Sequence, residues 1–148
     1  MKKKFLIIAA VIGITFTSQA QDILQSQIPS VIQNQFNSQF PKATAVEWEM
    51  DGSYYSVEFE LTWNIDHEVW YNTEGKMVKH KEDISPSELP KVVSERIQTD
   101  FSGYSIDDLE RITDNGEVVY KMELNHLMQQ DWDVVIDASG NVLSKMAD

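Results

Sequence analysis

The sequence of 148 residues contains no cysteine, so the protein has no disulfide to stabilise it and no thiol nucleophile. A lipid anchor on an N-terminal cysteine is excluded for the same reason. Stability must come from a packed core, which a chain of this length can bury. Basic residues are also scarce, since 12 Lys and Arg face 24 Asp and Glu, for a formal net charge of −12. That charge opposes binding to nucleic acid and to anionic membranes, and it favours solubility or a cationic partner.

The sequence also lacks the motifs of common enzyme classes. It has no Gly-x-Ser-x-Gly elbow, no glycine-rich phosphate loop, and no His-Glu-x-x-His or paired Cys/His spacing. Carboxylate pairs are plentiful, but no pocket is predicted that would aim two of them at a glycosidic bond. We therefore predict a non-enzymatic protein without a cofactor.

Residues 1–20 have the pattern of a cleavable signal peptide. Lys2, Lys3 and Lys4 precede an apolar run at 5–16, which is too short to span a bilayer comfortably. Ser18-Gln19-Ala20 then supplies the small residues of a cleavage site. The prediction is a mature chain that begins near Gln21 and is periplasmic or secreted. A short membrane anchor is the alternative interpretation.

Residues 21–84 predict one helix followed by four strands. The helix covers 29–40, begins at Pro29 and ends before Pro41. Its apolar face has the helical period: Ile28, Val31, Ile32, Phe36 and Phe40. Alternating residues predict strands at 45–50, from Tyr55 to Trp63, around 69–71 and at 76–80, with turns at Asp51-Gly52 and before Gly75. Residues 81–88 are predicted to be a polar connector.

Residues 85–148 repeat this pattern. Ser85-Pro86-Ser87-Glu88 predicts a capping box at the start of a second helix. The apolar positions of that helix have the same spacing as those of the first: Leu89, Val92, Val93, Ile97 and Phe101. Strands are predicted at 106–109, 118–124, 132–136 and 142–143, with a turn at Asp114-Asn115-Gly116. The chain is therefore predicted to be an internal duplication of one α-β-β-β-β unit.

The predicted fold class is α+β. Each unit has one apolar helix face and one apolar sheet face, so both helices should pack on the same side of an antiparallel sheet of about eight strands. Trp48, Trp63 and Trp132 fall on the side that faces the helices. The opposite side should remain in water and carry most of the carboxylates.

Several of these motifs resemble a known family. Phe40-Pro41-Lys42-Ala43 followed by Val46-Glu47-Trp48, then Glu74-Gly75-Lys76, and finally Leu89-Pro90-Lys91-Val92-Val93, are similar to motifs of the PepSY-like, β-lactamase-inhibitor-like family of secreted bacterial proteins. The resemblance extends over residues 28–146. It implies a tandem α/β4 duplication with both helices on one face of a concave sheet. In the inhibitors with that fold, the open face and adjoining loops grip an enzyme, but this chain lacks their disulfides.

The candidate partner-binding residues lie on the predicted open face. They are Tyr54, Glu58, Glu60, Glu68, Trp70, Glu123, Asp131 and Asp133. Tyr54 and Trp70 are either anchors for a partner or packing residues between strands. Loop residues 64–67 and 127–130 should flank this surface. The function predicted is binding of a protein or peptide, inhibitor-like, with a basic partner suggested by the charge.

The alternative function is that of a cation-binding or structural protein of the cell envelope. Asp66-His67-Glu68 and Asn125-His126 are predicted in corresponding loops, where they suggest a metal such as zinc, although the sequence favours structural or solvated histidines because no metal-ligand spacing supports the site. Glu58-Phe59-Glu60 and Asp131-Trp132-Asp133 place carboxylates two apart, which suggests calcium or simply a solvated acidic face. No metal ligand set is predicted.

Overall fold

The structure is a computed structural model that describes residues 21–62 and 65–148. The predicted signal peptide, together with Trp63 and Asn64, lies outside the described residues. Those residues form two α-helices, α1 (Ser30–Gln39) and α2 (Lys91–Asp100). They also form nine strands: β1 (Gln21–Asp22), β2 (Thr44–Asp51), β3 (Tyr54–Thr62), β4 (Ile65–Tyr71), β5 (Met77–Asp83), β6 (Ser105–Asp114), β7 (Glu117–Asn125), β8 (Trp132–Asp137) and β9 (Val142–Ala147).

All the strands belong to one antiparallel sheet, in which they lie in the order of the sequence. The eight predicted strands are confirmed, and β1 adds a two-residue strand beside β2. The two repeats meet where β5 pairs with β6, from Lys79 opposite Asp114 to Asp83 opposite Glu110. The duplicated unit therefore builds one continuous sheet.

Each repeat has its own hydrophobic core between its helix and its strands. In the first repeat, Ile32 and Phe36 of α1 pack on a cluster that includes Trp48, Val57 and Val69. In the second, Val93 and Ile97 of α2 pack on Tyr120, Met122, Leu124, Val134 and Ile136. Val69 pairs with His80, His80 pairs with Thr113, and Thr113 pairs with Val118. These four residues therefore lie on the same side of the sheet. Because Val69 and Val118 both face a helix, the two helices cover the same side.

The capping box has a different position from the one predicted. Ser85 and Glu88 do form it, with Ser85 N donating to Glu88 Oε2 at 2.8 Å, but it encloses a short 3-10 turn at Pro86–Glu88. The α-helix begins only at Lys91, because Pro90 holds the preceding Leu89 in an extended conformation. The predicted connector at 81–88 is also too long, since β5 continues to Asp83.

A glycine turn in each repeat packs against the first turn of the helix. Gly75 has φ +82°, and a Cβ atom there would lie 3.0 Å from Val31 Cγ2. Gly140 has φ +84°, and its Cβ would lie 3.0 Å from Val92 Cγ2. Val31 and Val92 remain 48% and 44% exposed although they belong to the predicted apolar faces, so their role is to cover these turns.

We expect Gly75→Ala to destabilise the protein by about 1 kcal/mol more than Gly116→Ala does. Both glycines have positive φ, but nothing lies within 4 Å of a Cβ at Gly116. Only Gly75→Ala adds a clash with Val31, and urea denaturation measures both free energies of unfolding. Val31→Ala should recover part of the difference. Equal losses at the two glycines would contradict the packing of the turn on α1.

Candidate functional site: the open face of the sheet

The sheet face opposite the helices contains a groove of about 550 Å³ that runs from β2 to β7. It lies where β2 and β6 have matching bulges, at Ala45 with φ 51° and at Asp108 with φ 43°. A bulge bends its strand and increases the local twist of the sheet. The open face is therefore concave where the two repeats meet, and we call this concavity the groove.

The groove is strongly acidic. Its lining residues include two lysines, Lys81 and Lys121, and eight carboxylates: Glu47, Glu58, Glu60, Asp66, Glu68, Asp83, Asp108 and Glu110. Lys81 Nζ lies 3.0 Å from Glu68 Oε2 and 3.8 Å from Glu110 Oε1. Lys121 Nζ lies 3.7 Å from Glu110 Oε2. The two lysines thus pair with Glu68 and Glu110 only, and the other six carboxylates leave an excess of negative charge.

Burial, together with repulsion between neighbouring carboxylates, raises several pKa values on this face. Burial, followed by repulsion from Glu58 and Asp22, raises the pKa of Glu49 on β2. Burial and repulsion from Asp66 raise the pKa of Asp83. Burial also raises the pKa of Glu68, although the charge of Lys81 opposes the shift. In each case the folded protein holds a carboxylate that would be more easily ionised in water.

The predicted site residues of β3 and β4 share this face, with one correction. Glu58, Glu60 and Glu68 line the groove, and Tyr54 is 42% exposed. Trp70 lies on the same face but is only 8% exposed, so the prediction of a Trp left free in water is wrong. Alternation predicted the side on which Trp70 lies, but it could not predict which neighbours cover the ring.

Trp70 instead packs between strands. Its Nε1 donates a hydrogen bond to Asp51 Oδ2 at 3.1 Å, and Lys79 Nζ lies 4.0 Å from the centre of its ring. The ring lies opposite Ser56, which is itself buried. These contacts are the ones expected from the second alternative, in which Trp70 is a packing residue between strands.

The predicted site residues of the second repeat are not among those that line the groove. Glu123 on β7 faces Asp133 on β8, two like charges in direct opposition. Asp131 accepts a hydrogen bond from the backbone N–H of His126 at 2.7 Å and so holds the loop between β7 and β8. In that loop Leu127 and Met128 are fully exposed or nearly so.

The histidines also differ from prediction. His67 does not lie in a loop that corresponds to that of His126, because it belongs to β4 and faces the helices. Burial lowers the pKa of His67 and of His80, which lie side by side. Sequence reasoning missed Glu82 as their neighbour and Lys81 and Asp83 as groove residues, because it ended the strand at His80. The alternation of charge through residues 79–83 was the signal that could have extended it.

We expect Glu58→Gln to stabilise the protein at pH 7 by about 0.5 kcal/mol. A raised carboxyl pKa in the folded state contributes stability below the unfolded pKa, near pH 4, and that stability is lost as the pH rises through the folded value. Removing the Glu58 charge lowers the pKa of Glu49 and Glu68 and reduces this loss.

The measurement is denaturant unfolding of Glu58→Gln at pH 4 and pH 7. The stabilisation should be smaller at pH 4, where the raised pKa values of Glu49 and Glu68 leave less charge for Glu58 to repel. Glu74→Gln, in the turn before Gly75, is the control and should change little at either pH. A gain that is the same at both pH values would contradict the electrostatic explanation.

Comparison with known proteins agrees with this fold. A protein from Bacteroides uniformis described as a DUF2874 family protein has a TM-score of 0.67 at 20% identity, with 80% of this chain and 88% of that chain covered. A protein from Bacteroides eggerthii described as a "putative periplasmic" protein has a TM-score of 0.68 at 20% identity, with 80% and 88% covered. A protein from Bacteroides fragilis described as BLIP-like has a TM-score of 0.64 at 19% identity, with 80% and 85% covered. At these identities, the likeness shows a common fold.

No curated protein matches the chain. Within residues 21–62 and 65–148, no helix is long and apolar enough to cross a membrane. The model of one protein family matches the chain twice, over residues 15–68 and over residues 53–144. The chain therefore belongs to the PepSY-like family described as "Putative beta-lactamase-inhibitor-like, PepSY-like".

Proposed function

We propose that the protein is a non-enzymatic binding module of the periplasm or cell exterior that takes a basic segment of a protein or peptide into the groove. The observation that carries this proposal is the set of eight carboxylates against two lysines in one concave surface. The other side of the sheet is occupied by the two helices and their cores. The open face is thus the broad surface left for a partner.

The charge of the groove suits arginine and lysine side chains. Ionised carboxylates accept paired hydrogen bonds from guanidinium groups, and such charge-assisted bonds are stronger than neutral ones. A cationic partner would also relieve the repulsion that raises the pKa values of Glu49 and Asp83. Negative potential in a concave surface increases the rate at which a cationic partner associates.

The groove lining does not suggest a serine, threonine or cysteine hydrolase. It offers carboxylates, two lysines and His67, but no hydroxyl or thiol nucleophile. The family description supports a specific form of the proposal, in which the partner is an enzyme that the open face inhibits. Export is supported by the sequence of residues 1–20 and by the relative described as periplasmic.

We expect Glu58→Lys/Glu60→Lys to weaken binding of an arginine-rich peptide at least tenfold at about 0.15 M salt. The matched control is Glu74→Lys/Glu95→Lys, which changes the net charge equally but alters a turn and the exposed side of α2. The control should bind within about twofold of the unmodified protein. Isothermal titration calorimetry with the peptide, and with a neutral peptide of the same length, measures both affinities.

Equal weakening in the two double variants would contradict the proposal, because it would mean that the overall charge attracts the peptide. Absence of binding by the unmodified protein would contradict it too. Trp70→Ala is unsuitable for this test, since the buried ring supports the sheet and its removal would cost stability.

A further inference from the structure

A polar cluster lies on the helix side of the sheet, where the two repeats meet. His67 on β4 is paired with Glu82 on β5, and Glu82 is paired with Arg111 on β6. His80 lies two residues before Glu82 and therefore on the same side of the sheet. In the described part of the chain, His67, His80 and Glu82 form the one group of three His, Asp or Glu side chains whose ligand atoms lie within 4.8 Å of one another.

The distances within this cluster are close to those of a metal site. His67 Nδ1 lies 3.1 Å from His80 Nε2 and 3.8 Å from Glu82 Oε2. In a tetrahedral zinc site with bonds of about 2.0–2.1 Å, any two ligand atoms are separated by about 3.3 Å. The observed distances lie on either side of that value, so small rotations of the side chains would admit an ion.

The surrounding residues hold the ligands in place. The ring of Phe59 stacks on His67 with centroids 5.2 Å apart and an interplanar angle of 11°. The ring of Phe40 meets His80 edge-on at 5.8 Å. Arg111 Nε donates to Glu82 Oε1 at 2.9 Å, which leaves Oε2 as the oxygen on the side of His67. Partners of this kind orient metal ligands and reduce the cost of binding.

The ring nitrogens have the chemistry that a metal requires. In the hydrogen bond between the two imidazole nitrogens, one nitrogen carries the proton and the other accepts it. For both to bind an ion, that proton would move to the other nitrogen of the same ring, which gives the alternative tautomer of a neutral imidazole. Two imidazoles and one carboxylate suit zinc and similar transition metals, whereas calcium prefers oxygen ligands alone. Three protein ligands with one position left for water is also a known zinc arrangement.

We propose that His67, His80 and Glu82 bind one divalent transition-metal ion, for which Zn²⁺ is the probe. His67, His80 and Glu82 lie on the helix side of the sheet, whereas the carboxylates of the groove lie on the open side. Of the three ligands, His67 also borders the groove. A bound ion would join β4 to β5 and, through Arg111, strengthen the contact with the second repeat.

The test is a titration of the metal-free protein with Zn²⁺, followed by calorimetry and thermal unfolding. We expect one Zn²⁺ per chain and a rise in Tm of about 5–10 °C at a hundredfold excess over Kd. Ca²⁺ should give no rise. His80→Gln and Glu82→Gln should each weaken Zn²⁺ binding at least tenfold, while His126→Gln, which alters the histidine of the β7–β8 loop, should bind as the unmodified protein does.

Absence of Zn²⁺ binding would overturn the proposal. So would Zn²⁺ binding that survives in both His80→Gln and Glu82→Gln, because the ion would then be held by His126 or by surface carboxylates. Circular dichroism of the metal-free variants checks that they fold. If they do not, the visible spectrum of the unmodified protein with Co²⁺ decides the matter, since a four-coordinate spectrum supports the site and a six-coordinate one contradicts it.

Discussion

One helix per repeat can cover only one side of the sheet, and the rest of the structure depends on this constraint. Apolar side chains on the covered side form two cores, one beneath α1 and one beneath α2. The uncovered side must remain soluble, so its strands present carboxylates to water. The pairing of β5 with β6 joins the two uncovered surfaces into one. A broad acidic face is thus a direct consequence of the duplication, and the bulges in β2 and β6 make it concave.

The same constraint explains the polar cluster on the helix side. Each helix covers the strands of its own repeat, and the two cores remain separate clusters. The strip between them, where β4, β5 and β6 run side by side, contains His67, His80, Glu82 and Arg111 rather than aliphatic residues. Their hydrogen bonds and ion pair satisfy polar groups that would be costly to bury alone. The junction of the repeats is therefore polar on both sides of the sheet, and both proposed sites lie there.

Much of the architecture could be predicted from the sequence because it rests on local periodicity. The two helices, the eight main strands and the internal duplication all follow from spacings of apolar residues and from turn residues such as Gly52 and Gly116. The errors arose where neighbours in space decide the outcome. The burial of Trp70 depends on Lys79 and Asp51, which belong to other strands. The extension of β5 through Asp83 depends on its pairing with β6, and without that pairing a run of charged residues resembles a loop.

The candidate site was predictable only in part for the same reason. Alternation placed Glu58, Glu60 and Glu68 on one face, but it could not predict that bulges in β2 and β6 make that face concave. Nor could it predict that Lys81 lies between Glu68 and Glu110. His67, His80 and Glu82 are close because of the register between β4 and β5, which no spacing along the chain reveals.

The central claim is that the open face, rather than the helices or the β7–β8 loop, contacts the partner. Backbone amide chemical shifts of the ¹⁵N-labelled protein, followed by NMR during titration with an arginine-rich peptide, test it most directly. The account predicts shift changes concentrated in β2–β6 around Glu58, Glu68 and Glu110, with α1 and α2 little affected. Changes concentrated on the helices, or around Leu127 and Met128, would contradict it.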